Sequence, residues 1–372
     1  MSTSNAVKVP YSYLPEQFAD PDPIFAEIKR IVGTGDYTLG HAVEDFEQSF
    51  ASAVQTRYAI GVNSGTDALR LSLKALGIGP GDEVITAANT FIATVGAIAD
   101  VGAKPIFIDC NDEFVFDLDK VEGVITARTK AVIPVHLTGS MVDMPRLLSI
   151  SNGCGIYVVE DACQAFKSSL GGRSAGSWGI CGTFSLHPLK FVNIWGDGGV
   201  ITTNNDDLAR RLRLLRNHGL ASRDVVVMLG CNSRLDSIQA AVANQVLSQA
   251  DWIIKRRNEN ASFYDREFSG IAQIKVPRRD SRIVHSFVTY QVLAEARDAL
   301  LDHCAMRGIE CKVHYPIPVY CQEGLHEFGY RCGDFPVADR HARTTITLPV
   351  HQYLSPGQLS LVVETIREFY GA

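Results

Sequence analysis

Between residues 58 and 204 short apolar runs alternate with helix-like stretches, and this rhythm constrains the fold more than any other feature of the sequence. The runs fall at 58–62, 83–87, 105–109, 131–136, 156–160, 183–187 and 200–203. They are rich in Val and Ile with little polar alternation, as expected for strands covered on both faces. Between them, 67–76 carries Ala68, Leu69, Leu71, Leu73 and Leu76 in a helix-like pattern, and Pro80-Gly81-Asp82 turns the chain into the next run. Strand, helix, strand at this spacing predicts an α/β fold, with a mostly parallel seven-stranded sheet flanked by helices. No long helix separates the last two runs, so one antiparallel member is expected.

Beyond Asp206 the texture changes. Residues 208–217 predict a basic helix carrying Arg210, Arg211, Arg213 and Arg216, read as a solvated or dimer-facing surface. A long helical stretch, 234–268, leads into a last region with strand-like runs at 271–276, 286–292, 311–315 and 344–348. Helices are expected over 295–307 and 356–369. The expected division is a large α/β domain over 1–250, with an N-terminal helical arm, and a smaller α+β domain over 251–372. A length of 372 residues agrees with two or three units at roughly 150 residues each.

Composition removes several classes. Apolar residues make up 46% and charged residues 20%, enough to bury a sizeable core and too much apolar content for wholesale disorder. Thirty-five basic against 41 acidic residues leave a net charge of −6, which argues against nucleic acid as a main partner. The first ten residues lack the apolar core of a secretory signal. The most apolar tract, 91–101, is broken by Asp100 and falls short of the ~20 residues that span a bilayer. No membrane partner and a cytoplasmic location are therefore expected. The nine cysteines (Cys110, Cys154, Cys163, Cys181, Cys231, Cys304, Cys311, Cys321 and Cys332) are odd in number and form no CxxC pair. That predicts reduced thiols, with neither a disulfide framework nor a zinc site. Ten histidines show no HExxH spacing, so no structural metal is expected.

Three candidate chemical groups each follow a predicted strand. Glu160 and Asp161 end one run, and acids at the carboxyl ends of strands in open α/β sheets can face a ligand, although Asp161 as a simple helix cap is the plainer alternative. Gly65 and Thr66, in Asn63-Ser64-Gly65-Thr66-Asp67, open a helix whose unpaired N–H groups make a seat for phosphate, although an ordinary cap suffices without a ligand. Ser185 and His187 lead to Lys190, before the glycine-rich turn Trp195-Gly196-Asp197-Gly198-Gly199. Most lysines are solvated surface charges, but one desolvated behind a strand end is freed for Schiff-base chemistry. A phosphate seat, an acid and a lysine at the ends of one sheet are the parts that a pyridoxal phosphate (PLP) enzyme requires. Gly172-Arg173-Ser174-Ala175-Gly176 also matches the elbow of a serine hydrolase, yet polar Lys167-Ser168-Ser169 precedes it where a strand is required.

These residues resemble the DegT-type sugar aminotransferases, which are fold-type I PLP enzymes. The resemblance runs from Gly61 to Asp109, through Glu160–Gln164, Ser185–Lys190 and Gly196–Gly199, to Arg216-Asn217-His218-Gly219. It continues in Asn232-Ser233-Arg234-Leu235-Asp236, Gly333-Asp334-Phe335-Pro336 and Leu348-Pro349, and covers the chain from about residue 24 onward.

The resemblance implies that Lys190 carries PLP as an imine and acts as general acid–base, while Asp161 pairs with the pyridine nitrogen. It implies Gln164 near the phenolic oxygen, Phe91 against the ring, and Gly65, Thr66 and Ser185 on the phosphate. Asn232 would reach that phosphate from a neighbouring subunit, so a homodimer with shared sites is implied. His187, Tyr315 and Tyr320 are substrate candidates. The implied reaction moves an amino group from glutamate to a keto sugar, generally nucleotide-linked, with the cofactor alternating between PLP and its amine form PMP. Related dehydratases carry histidine in place of the lysine, so Lys190 favours transamination. Phe191-Val192 stands where many relatives have asparagine after the lysine, and Val319-Tyr320 replaces a common Leu-His. The alternatives are a keto-octulosonate-type acid as substrate, a PLP-binding regulatory protein, and a hydrolase using Ser174.

Overall fold

The computed structural model describes residues 6–372. Seven strands form one sheet: β1 (Tyr58–Val62), β2 (Glu83–Ala87), β3 (Lys104–Ile108), β4 (Thr129–Ile133), β5 (Tyr157–Asp161), β6 (Cys181–Ser185) and β7 (Gly199–Thr203). Their order across the sheet is β1–β7–β6–β5–β4–β2–β3. All pairs are parallel except the two made by β7, which runs antiparallel to β1 and β6. The expected antiparallel member is therefore β7.

The alternation of side chains along each strand builds two cores. Ile60, Val62, Val84, Ala131, Ile133, Val159 and Ile201 face helices Gly65–Ala75, Ile92–Asp100 and Asp206–Leu215. Ala59, Ile85, Val132, Val158, Phe184 and Val200 face helices Asp22–Thr34, His41–Val54, Met144–Cys154 and Ser237–Leu247. With both faces covered, polar alternation would have no purpose, which explains the near-continuous apolar runs.

Several local expectations shift. Helix Gly65–Ala75 begins two residues before the expected Asp67, because Ser64 is the cap and its Oγ accepts the Asp67 N–H at 3.0 Å. The predicted basic helix is Asp206–Leu215, which buries Leu208, Ala209, Leu212 and Leu215 and exposes Arg210, Arg211 and Arg213. Arg216 is instead buried, ion-paired with Glu47 and donating to the Gly61 carbonyl. The stretch expected as one helix over 234–268 is two, Ser237–Leu247 and Ala250–Phe268, with neither Gly nor Pro at the break.

In the C-terminal region β8 (Ile274–Lys275), β9 (Tyr290–Ala294) and β10 (Thr345–Leu348) form an antiparallel sheet with β9 in the centre. Tyr264, Phe268, Leu300, Val362 and Ile366 from three helices pack on Tyr290, Val292, Ile346 and Leu348. Val9 joins this cluster by pairing with Ile309. The expected strand 311–315 is absent. Only Lys312 bridges to Thr347, and His314 and Tyr315 leave the ladder toward the sheet's cavity.

Cys321 and Cys332 are bonded as a disulfide, which corrects the expectation of nine reduced thiols; the other seven are free. The turn Glu323–Phe328 brings their Cα atoms to 5.3 Å, a proximity that their sequence spacing does not announce. Among the described residues no helix is long and apolar enough to cross a membrane.

Candidate active site

The parallel strands end at a common crevice, where open α/β sheets place their ligands. A cavity of about 350 Å3 lies there, bounded by residues that follow β1, β2, β4, β5 and β6. Gly65, Thr66, Phe91, Asp161, Gln164, Ser185, His187, Lys190 and Tyr315 all lie on its wall. Nine residues expected to act together, spread over some 250 positions of sequence, are brought together by the topology.

Two expected residues are not on this wall. Tyr320 is fully buried against Phe107 and Phe335, and its hydroxyl donates to Asp339 Oδ1 at 2.7 Å. Its substrate assignment is corrected to a packing role, because the aromatic cluster beside β3 offers it a fully buried place. Asn232 is exposed, and its backbone bridges Asn217 outside this cavity.

The two carboxylates that end β5 point to opposite faces. Asp161, 6% exposed, accepts from Thr94 Oγ1 at 2.7 Å and from the Cys163 N–H at 3.2 Å. Thr94 Oγ1 spends its only proton on Asp161, so Thr90 Oγ1, 2.8 Å away, donates to Thr94. A short hydroxyl relay thus holds the carboxylate on the cavity wall. Glu160, on the other face, is fully enclosed and accepts from the N–H groups of Gly176, Trp178 and Gly179 and from His136 Nε2.

That clamp also settles the segment holding Ser174. Residues Arg173–Ser174 pair with Ser169–Leu170 in a small antiparallel sheet, without the strand-to-helix turn that a hydrolase elbow needs. Gly176 instead supplies an amide to Glu160, so the hydrolase reading is discarded.

Lys190 follows β6 in a turn closed by its own N–H to the His187 carbonyl at 2.8 Å. Burial pushes the pKa of its amine down, against the opposing influence of Cys163 and Asp161, so the neutral form is favoured relative to a surface lysine. His314, also on the wall, is pushed down to about 4, first by burial and then by Lys190 and Lys312, and is neutral at neutral pH.

Gln164 has a defined orientation. Its Oε1 accepts the Thr138 N–H at 2.9 Å, which leaves Nε2 to donate toward Tyr315 Oη at 3.4 Å and the cavity. Phe91 is half-exposed, with its ring centroid 5.8 Å from that of Tyr315.

The residues present fit PLP. The Ser64 cap takes the Asp67 N–H through its Oγ and the Ala68 N–H through its carbonyl. The N–H groups of Gly65 and Thr66 thereby remain for an anion at the positive end of an 11-residue helix. A Cβ on Gly65 would sit 2.8 Å from Ser185 Cβ and 3.1 Å from Cys163 Sγ, so this cradle requires glycine. The amine of Lys190 and the carboxylate of Asp161 lie on the same wall as that cradle, supplying the other two contacts that the group requires.

Sequence reasoning missed Tyr11, Thr90, Thr94, Cys163, Asp197 and His314. Cys163 lies inside the motif already singled out, and its neighbours were signal enough. Tyr11 and His314 come from distant segments and carry no local mark.

Comparison with known proteins agrees with the geometry. The profile of the DegT/DnrJ/EryC1/StrS aminotransferase family matches residues 20–367. A pleiotropic regulatory protein of Geobacillus stearothermophilus is 38% identical over 370 residues, covering 98% of this chain and 99% of that protein. The dTDP-3-amino-3,4,6-trideoxy-alpha-D-glucose transaminase of Streptomyces venezuelae is 38% identical over 345 residues, covering 92% and 91%. The crystal structure of S. venezuelae DesV in complex with a ketimine intermediate superposes with a TM-score of 0.96 at 36% identity, covering 99% of this chain and all of that one. The chain belongs to the DegT/DnrJ/EryC1/StrS aminotransferase family and is a PLP-dependent aminotransferase.

Proposed function

We propose that the enzyme transfers an amino group from glutamate to a nucleotide-linked keto sugar, in amino-sugar biosynthesis. The observation that carries the reading is the convergence of Lys190, Asp161 and the Gly65 cradle on one cavity, in a chain similar to a dTDP-sugar transaminase.

When bound, PLP supplies an electron sink that lets a substrate amine lose its α-proton. Lys190 would hold the cofactor until the substrate amine takes its place, and its freed Nζ, whose pKa burial lowers, would then accept and return that proton. Asp161, held by Thr94, would keep a proton on the pyridine nitrogen. Gly65, Thr66 and Ser185 would hold the cofactor's phosphate, Gln164 Nε2 would be free to donate to the cofactor, and Phe91 would lie beside it on the cavity wall. His187 and Tyr315 orient the sugar. Asn232, exposed on this chain, completes the phosphate site of a second subunit in a homodimer. The chain divides at about residue 250 into a cofactor unit (1–250) and a C-terminal unit (251–372), and the enzyme works in the cytoplasm.

The test is a screen of keto sugars, with and without a nucleotide, using glutamate as donor. Amination of a nucleotide-linked acceptor is expected. Amination only of a free keto-octulosonate-type acid would replace the substrate class. Failure of glutamate to convert bound PLP to PMP would favour a regulatory role.

A further inference from the structure

Residues 8–13 cross from the C-terminal sheet to the cavity. Val9 is fully buried beside Ile309; Lys8 N and Val9 N both donate to the Gly308 carbonyl, and Glu310 N donates to Val9 O. His351 Nε2 donates to the Pro10 carbonyl at 3.1 Å, and Tyr11 N donates to Glu310 Oε2 at 2.9 Å. The segment is therefore fastened to the C-terminal unit at consecutive residues. Its next two aromatic side chains reach the site. Tyr11 lies on the cavity wall with its ring centroid 6.1 Å from that of His314, and its hydroxyl has no hydrogen-bond partner among the described residues. Tyr13, 4% exposed, donates from its hydroxyl to the Lys190 carbonyl at 3.1 Å. Its ring stacks on His351, and the Arg257 guanidinium lies 5.0 Å from its centroid.

We propose that residues 8–13 form a strap with divided labour: Tyr13 is a positioning residue that sets the backbone of Lys190, and Tyr11 offers its free hydroxyl to the sugar substrate. The inference rests on Lys190 being the lysine that carries PLP. A buried tyrosine immobilised by stacking needs a hydrogen-bond partner, and this one takes the main-chain carbonyl of the lysine itself. The Lys190 turn is also held from within, by its own N–H to the His187 carbonyl and by Asn193 Nδ2 to the Pro188 carbonyl, whereas Tyr13 ties it to an element from outside the cofactor sheet. Tyr11 differs: its backbone is fastened while its hydroxyl is left for a ligand. Because both tyrosines ride on a segment attached to residues 308–310, the lysine and the substrate contact share one anchor.

Tyr13→Phe and Tyr11→Phe each remove one oxygen and keep the ring. For Tyr13→Phe, kcat should fall about tenfold, the size of one hydrogen bond's effect on a barrier, with both KM values within about twofold. For Tyr11→Phe, KM for the keto sugar should rise about tenfold while PMP formation from glutamate keeps its single-turnover rate. Both variants should fold with an unchanged far-ultraviolet spectrum; Tyr11→Phe should keep the wild-type melting temperature, and Tyr13→Phe should lose only the few degrees that one buried hydrogen bond contributes. Wild-type kcat in Tyr13→Phe, or an unchanged sugar KM in Tyr11→Phe, overturns the corresponding role. Borohydride reduction and peptide mapping on wild type and variants keeps the two readings apart. A cofactor fixed on Lys190 in all three with unchanged kinetics sinks the strap, whereas no adduct on Lys190 in wild type sinks the reading beneath it.

Discussion

Glu160 and Asp161 are adjacent acids on one strand, and the structure uses them in opposite ways. Glu160 is sealed beneath the sheet by three backbone amides and His136, so every lone pair that matters is spent inside the fold. Asp161 is held by one hydroxyl and one amide and faces a cavity. Strand alternation alone separates them. A carboxylate's role follows from what satisfies it: a fully paired acid is architecture, and a partly paired one on a cavity wall is available for chemistry.

Truncating each acid in turn separates the two roles. Asp161→Ala should cost the largest effect on turnover, about a hundred- to thousandfold, as for loss of a preorganised electrostatic partner. Cofactor retention, measured by absorbance after gel filtration, should fall with it. Glu160→Ala should instead strip a partner from the buried Gly176 amide, the half-buried Trp178 and Gly179 amides and buried His136, and destabilise the protein by about 3–5 kcal/mol in urea unfolding. Whatever fraction folds should bind PLP. If Glu160→Ala spared stability and abolished turnover, the comparison would be reversed.

A smaller effect tests the phosphate cradle on the functional face. Gly65→Ala inserts a methyl group 2.8 Å from Ser185 Cβ, an overpacking of about 1–3 kcal/mol. PLP affinity by fluorescence titration should drop by about tenfold, and the unfolding midpoint in the absence of cofactor should fall by the few degrees that this overpacking costs. An unchanged affinity would remove Gly65 from the cofactor site.

The gentlest perturbation is pH. His314, His341 and His351 are each lowered from 6.5 to about 4, with burial as the main cause. A histidine depressed in the folded state takes up its proton first in the unfolded chain, so stability is lost as pH falls from 6.5 toward about 4. His351 lies away from the cavity, against Tyr13 and Pro10. His351→Gln should flatten the pH dependence of the unfolding midpoint in this window; an unaltered slope would mean that the imidazole is solvated.

Much of this was legible in the sequence, for a physical reason. Strands covered on both faces leave long apolar runs, and the residues directly after them must face the crevice, which is why Asp161, Ser185 and Lys190 stood out. The Glu160 clamp was not legible, because its amides at 176–179 carry no side-chain signature. Tyr320 misled for the opposite reason. Its neighbourhood in sequence borders the cavity, but a tertiary cluster with Phe107, Phe335 and Asp339 draws it inward. Tyr11 and His314 reach the site from opposite ends of the chain, and local pattern cannot report such a meeting.

Lys190 is proposed as the amine that carries the cofactor and makes the fold a transaminase. Borohydride reduction of the yellow enzyme, followed by proteolysis and mass spectrometry, tests it directly. One pyridoxyl adduct is expected, on the peptide containing Lys190, and none in Lys190→Ala, whose glutamate-dependent turnover should be at least about a thousandfold lower. An adduct on another lysine, or wild-type turnover in Lys190→Ala, would contradict it.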